Sequence, residues 1–326
     1  MRPIIIVPFL VLFAGCSNNI HKQTKFLMNT FVEIQVVEND KQKAMDSIAA
    51  AFQEMEIIDG ILNKYNKNSR VSELNKKKWL KCDRITDKVI KRAIEFSVLT
   101  GGAFDITVVP LMQIWKFGND APPGKKSPPP AKDLKNALRL VNYRNIKFRQ
   151  NKIFLKYGVA IDLSGIAKGW AVDGAIETLR ACGIKSAMVN AGGNLRVFGD
   201  RTWKIGIQHP RKERGAVMAV TGLTDRAVAT SGDYERYFEH DGRRYHHILD
   251  PKTGRPAQEC ISVTIICDDA TTADALSTGI FVMGHEKGMA LIEKLQSQGA
   301  SIEVIMVKAD GSTLVSKGLK GLKLAY

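Results

Sequence analysis

The sequence predicts a protein of mixed helices and strands, organised as one large domain or two moderate ones. Three observations lead there. The chain has 326 residues, 44% of them hydrophobic, enough to bury a sizeable core. An alternating stretch, Phe31 to Val37, reads as a strand, and Gln42 to Asn63 follows it with Ala44, Ile48, Phe52, Met55, Ile58 and Leu62 at helical spacing. Finally, Ala160 to Asp173, AIDLSGIAKGWAVD, reads as a strand ending at Ile161, a turn over Asp162 to Gly165 and a helix over Ile166 to Leu179.

The N-terminus reads as a targeting segment. Arg2 is a minimal basic region, Ile4 to Phe13 is an apolar run too short to span a bilayer comfortably, and Ala14 and Gly15 are small residues before Cys16. This pattern resembles a bacterial lipoprotein signal over residues 1–15, with lipid on Cys16, a tether over 16–25 and the folded domain over 26–326. Ordinary secretion with an incidental cysteine is the other reading. Cys82, Cys182, Cys260 and Cys267 show no CxxC spacing and sit in no metal-ligand cluster. They are expected as free thiols, although export permits a disulfide.

The later elements follow in order. Phe26 to Thr30 turns into the first strand, and Tyr65 falls in a polar loop, Asn63 to Asn68, either as a surface aromatic or as a ring stacked on a flat ligand. A second helix starts with Thr86 as N-cap and stops at Gly101-Gly102. Ala103-Phe104-Asp105 beyond it is either a ligand wall or a tight helix exit. Ala121 to Pro130, with five prolines, is an exposed loop. Strands are expected at 146–148, 153–156, 187–191, 195–198, 204–207, 227–229, 302–307 and 313–316, with a helix over 286–298.

Several stretches carry chemistry. Asp162 and Lys168 flank the strand-to-helix junction and could reach one polar ligand, or they mark a capped helix with a surface lysine. Gly192-Gly193-Asn194 offers bare backbone, and Thr230 to Tyr234 reads as a loop that holds phosphate or caps a turn. His247, beside the Asp250-Pro251 turn, is either structural or a general base. Asp274 and Thr278, four apart on a helix over 272–284, share a face and present hard oxygens suited to Mg²⁺. A net charge of +15 favours anionic partners, but the basic residues are scattered and no nucleic-acid signature appears.

AIDLSGIAKGWAVD, GGAFD, NAGGN, ATSGDYERYF, HHILDPKTGRP and TTADALSTGIFVMG occur in the order and spacing of the ApbE family, the FAD:protein FMN transferases, which the chain resembles from Met28 to Gly284. It differs at Asn29, usually glycine, and at Asn194, commonly aspartate. The resemblance implies an α+β, T-fold-like architecture with mixed or antiparallel sheets, packed helices and FAD in a cleft, in one or two subdomains. It implies Mg²⁺-dependent transfer of the FMN half of FAD onto a Thr or Ser hydroxyl, releasing AMP. The acceptor would be a protein of a membrane or exported redox system bearing a short flavinylation motif, and the enzyme would be anchored in the bacterial cell envelope facing the periplasm. Met28, Tyr65, Ala103, Phe104, Asp105, Asp162, Lys168 and Ile248 resemble FAD contacts. Asp274, Thr278 and the backbone of Gly165 resemble the metal ligands, and His247 the residue that activates the acceptor. An FAD pyrophosphatase yielding FMN and AMP, and a non-catalytic FAD-binding lipoprotein, are the competing functions.

Overall fold

The computed structural model describes residues 19–117, 127–213, 215–319 and 322. The signal segment at 1–15, Cys16, the start of the tether and residues 121–126 of the proline-rich loop lie outside the described residues. An eight-stranded sheet runs in the order β1 (Ile20–Leu27), β2 (Thr30–Val37), β6 (Ala187–Ala191), β7 (Asn194–Phe198), β10 (Ala227–Gly232), β13 (Cys260–Cys267), β14 (Glu303–Lys308) and β15 (Thr313–Val315). Every neighbouring pair in it is antiparallel. Smaller antiparallel sheets join β3 (Trp79–Lys81), β5 (Lys152–Leu155) and β4 (Ile146–Arg149), then β8 (Trp203–Gln208) with β9 (Val217–Leu223), and β11 (Tyr237–His240) with β12 (Arg243–His246). This is the expected α+β architecture.

Helices pack on the main sheet, on the small sheets and on one another. They are α1 (Lys41–Leu62), α2 (Arg70–Lys77), α3 (Thr86–Leu99), α4 (Val109–Trp115), α5 (Ala131–Leu138), α6 (Ala167–Ala181), α7 (Ala270–Met283) and α8 (His285–Ser297). The period-2 alternation of β2 turns Val32, Ile34 and Val36 toward Ile48, Phe52 and Met55 of α1 and the apolar stripes of α6 and α7. All six named side chains are fully buried, and burying one the size of Phe52 contributes about 1.5–3 kcal/mol. On the opposite face, Met188, Val197, Val228 and Ile266 pack beneath Trp203 and Leu223 of the β8–β9 hairpin. Strand β13 is buried at every position, with Ser262 and Thr264 among its apolar residues and Thr264 Oγ1 2.8 Å from Thr230 Oγ1.

Several sequence expectations are corrected. The segment expected as a tether, His21 to Lys25, is part of β1, because its backbone pairs residue by residue with β2. The run ending at Ile161 is not a strand; Ile161 N donates to Asn75 Oδ1 and Asp162 N to the Ile106 carbonyl, so its backbone is satisfied by loops. Thr86 is the first residue of α3 rather than its cap. The Asp83 carboxylate accepts from the amides of Ile85 and Thr86 and does the capping. Thr230 to Gly232 belong to β10, paired with Thr264 to Ser262, rather than to a loop. Cys82, Cys182, Cys260 and Cys267 are all free thiols. No helix among the described residues is long and apolar enough to cross a membrane.

Candidate functional site

A cavity of about 530 Å³ opens where the β1–β2 turn, the ends of α1 and α3, the start of α6, strand β10 and helix α7 converge. Met28, Tyr65, Ala103, Phe104, Asp105, Asp162, Gly165, Lys168, His247, Ile248, Asp274 and Thr278 all line it. Residues drawn from six separate stretches of sequence thus meet at one place, in the volume range of small-molecule and cofactor sites.

The corner at α6 and α7 holds the hard oxygens. Gly169 N donates to Asp274 Oδ2 at 2.9 Å, and the Asp173 carboxylate accepts from the amides of Ala270 and Thr271 at 2.9 Å, so α6 carries and fixes the start of α7. Burial pushes the Asp274 carboxyl up from its ordinary value, against the pull of Lys168. Thr278 Oγ1 lies 3.1 Å from Ser231 Oγ, and a Cβ at Gly165 would sit 3.7 Å from that same Oγ1, which places the Gly165 backbone next to the α7 hydroxyl. Asn194, 2% exposed, lies beside Asp274, and its side chain hydrogen-bonds to and favours the charged form of that carboxylate. A buried carboxylate, two hydroxyls and a bare backbone turn are oxygen donors of the kind that a hard cation takes.

The opposite wall is held by a residue the sequence reading passed over. Lys64 Nζ pairs with Asp162 Oδ2 at 2.9 Å, the two side chains being 13% and 8% exposed, and the same ammonium stands 4.9 Å over the Tyr65 ring. Burial works against the Lys64 charge, but Asp162 beside it prevails and its pKa is raised. Asp162 Oδ1 meanwhile accepts from Ser164 N, which shapes the turn to Gly165. Asp162 and Lys168 both line the cavity, the first tied to Lys64 and the second close enough to Asp274 to favour its charged form. Asp105 accepts from Thr107 N and Oγ1 and from Tyr143 N, so most of its capacity holds its own loop together. Burial raises its pKa.

The two adjacent histidines divide their roles. His246 is buried, its Nε2 donating to the Ala257 carbonyl at 2.6 Å while Nδ1 accepts from Ile248 N. It is a structural clamp. His247 lines the cavity with Nδ1 3.2 Å from the Arg236 carbonyl. A carbonyl only accepts, so Nδ1 carries the proton and Nε2 keeps its lone pair. The His247 pKa is pushed down to about 3 by burial first, then by the Arg236 charge and by His246. The loop beyond it is pinned by Trp115, whose Nε1 donates to the Gly254 carbonyl at 2.7 Å and whose ring stacks with Phe117 and packs on Phe238 and Tyr245.

Fold and cavity define an α+β protein that gathers a corner of oxygen donors, a lysine and a histidine around one ligand-sized space. Residues 28–304 match the ApbE family, and the chain belongs to that family. It is 33% identical over 320 residues to the FAD:protein FMN transferase of Vibrio cholerae, covering 93% of this chain and 92% of that protein. The FAD:protein FMN transferase of Haemophilus influenzae is 32% identical over 316 residues, 89% of each chain. Among solved structures, the ApbE protein of Thermotoga maritima superposes with a TM-score of 0.85 at 36% identity over 93% of this chain and 98% of that one. The flavin transferase ApbE of V. cholerae superposes at 0.81, with 31% identity over 94% and 99%.

Proposed function

We propose that this protein transfers the FMN half of FAD onto a Ser or Thr hydroxyl of an acceptor flavoprotein, forming a phosphoester and releasing AMP. The observation that carries the reading is the meeting, in one cavity, of the oxygen corner at Asp274, Thr278 and Gly165 with a histidine whose Nε2 lone pair is available. Met28, Tyr65, Ala103, Phe104 and Ile248 offer aromatic and apolar surface for the flavin, and Lys168 places a positive charge for the pyrophosphate. Asp105 and Asp162 anchor the loops that carry this wall.

In the reaction the acceptor oxygen bonds to the FMN-side phosphorus and the bond from that phosphorus to the AMP oxygen breaks. His247 Nε2, whose lone pair faces the cavity once Nδ1–H is given to the Arg236 carbonyl, takes the acceptor proton. Lys168 holds the phosphate oxygens in line for attack. A Mg²⁺ ion held by Asp274, Thr278 and the Gly165 carbonyl would neutralise charge on those oxygens. The N-terminal pattern around Cys16 supports a lipid-anchored form in the bacterial envelope, facing the periplasm, with a membrane or exported redox protein as acceptor.

The test incubates the mature protein with FAD, Mg²⁺ and a candidate acceptor, and reads the acceptor's intact mass alongside AMP and FMN. An FMN adduct with matching AMP is expected. Free FMN and AMP without adduct across several acceptors would make the protein a pyrophosphatase, and bound FAD with neither product a flavin carrier.

A further inference from the structure

The proposed reaction has two substrates, and the cavity accounts for one of them. The acceptor is a protein, so some part of the surface beside the cavity must receive it. The β1–β2 hairpin joins the two regions: its turn residues Met28, Asn29 and Thr30 line the cavity, while Phe26 and Phe31, directly opposed across the strands, stand outside it. Their rings meet edge to face at 5.5 Å, and each side chain is 67% exposed. On the same face of the sheet Met188 and Val37 are packed with Trp203, so the exposure is local to the hairpin tip. The pair steadies the hairpin through its ring contact, yet both rings keep most of their surface in water, and exposed apolar surface of this kind is available for a contact.

Two more features belong to this hairpin. Met28 and Asn29 both adopt left-handed backbone, at φ 54° and 59°, and a methionine held there is a local strain of the kind found at functional sites. Strand β1 is also the outermost strand of its sheet, leaving a backbone edge unpaired among the described residues.

We infer that Phe26 and Phe31 form the docking surface for the acceptor protein, taking an apolar side chain close to the accepting Ser or Thr as that segment crosses the hairpin toward the cavity. The inference rests on the transferase reading. A lipid surface is the other conceivable occupant, but the pair lies six residues along β1 from Ile20, roughly 20 Å at the rise of an extended strand. It is therefore at the cavity end of β1 and not at the end nearest Cys16.

The test compares the mature protein with a Phe26→Ser/Phe31→Ser variant, whose altered side chains belong to neither the core nor the cavity. Both are titrated at saturating FAD with a detergent extract of source cells deleted for this gene, and fluorescent bands are followed on a denaturing gel. The variant should need about 10-fold more extract, or beyond, for half-saturation, with maximal rate and FAD affinity unchanged. A Phe26→Leu/Phe31→Leu variant, still apolar, should stay near the parent. Equal half-saturation of parent and Ser variant overturns the inference. So does equal half-saturation combined with lost binding to phosphatidylethanolamine–phosphatidylglycerol vesicles, which would make the pair a membrane contact. A parent protein that labels no band removes the transferase reading itself, and the docking surface with it.

Discussion

Gly169 and Asp274 meet through a 2.9 Å hydrogen bond from the glycine amide to Oδ2, and the same glycine lets α6 lie against the first turn of α7. A Cβ there would fall inside the contact distance of the Ala270 carbonyl. Backbone cannot swing aside as a side chain can. Gly169→Ala should therefore cost about 1–3 kcal/mol by forcing the helices apart, read as a lowered urea midpoint. An unchanged midpoint would show that the α6–α7 contact relaxes freely.

Asp274 is the most deeply placed member of the oxygen corner. Replacing it with Ala should weaken Mg²⁺ binding and transfer together, while FAD still binds. Calorimetric Mg²⁺ titration in the presence of FAD checks this, and a normal titration in the variant would remove Asp274 from the cation site.

His247→Ala should retain FAD and slow transfer by about 10²- to 10⁴-fold, the usual worth of general-base help. With its folded pKa pushed down to about 3, His247 stays neutral well below pH 6.5, so the parent's rate profile should carry no limb from this residue between pH 7 and 5. Stability behaves differently. The unfolded chain takes up the proton near pH 6.5 while the folded state resists until about 3, so stability present above 6.5 is lost as pH falls through that window. The urea midpoint of His247→Ala should fall less steeply there than that of the parent.

Trp115→Phe keeps a ring in the aromatic stack and removes only the donor to Gly254. The stranded buried carbonyl should cost about 1–3 kcal/mol. Because the pinned loop begins just after His247, kcat should fall while the FAD affinity holds; an FAD affinity lost in step with kcat would mean general collapse of the cavity.

Lys64→Met leaves the Asp162 carboxylate buried without its partner and should cost about 3–5 kcal/mol. Adding Asp162→Asn removes the stranded charge and should recover part of that loss. A double-mutant cycle on melting curves measures the recovery, and strict additivity would show that the pair does not interact.

Much of this was legible in the sequence where one periodicity dominates. Helices α1 and α7 carry 3.6-residue patterns and polar caps, Asp40 and Asp269, and they appear almost where expected. Strand β13 is apolar but for Ser262 and Thr264, and no strand is expected there from the sequence. The run to Ile161 is apolar too, but its backbone partners are an asparagine side chain and a distant loop, which no local pattern announces. Helix α2 offers only Val71 and Leu74 to the core and is too short to show a stripe. At the site, the family motifs mark the residues that line the cavity, yet Lys64 lies outside them. Its role depends on meeting Asp162 in space. The exchange of glycine for Asn29 is explained by the turn, since asparagine tolerates left-handed backbone better than other side chains do.

The sheet order also bears on how the chain folds. Strand β2 has β1 on one side, but its other neighbour is β6, Ala187–Ala191, and helix α1 must wait for α6. During synthesis the N-terminal hairpin and its helix therefore emerge with their apolar faces uncovered, and remain so until more than half of the chain exists. Non-local pairing of this kind makes folding slow and leaves early segments in need of chaperones.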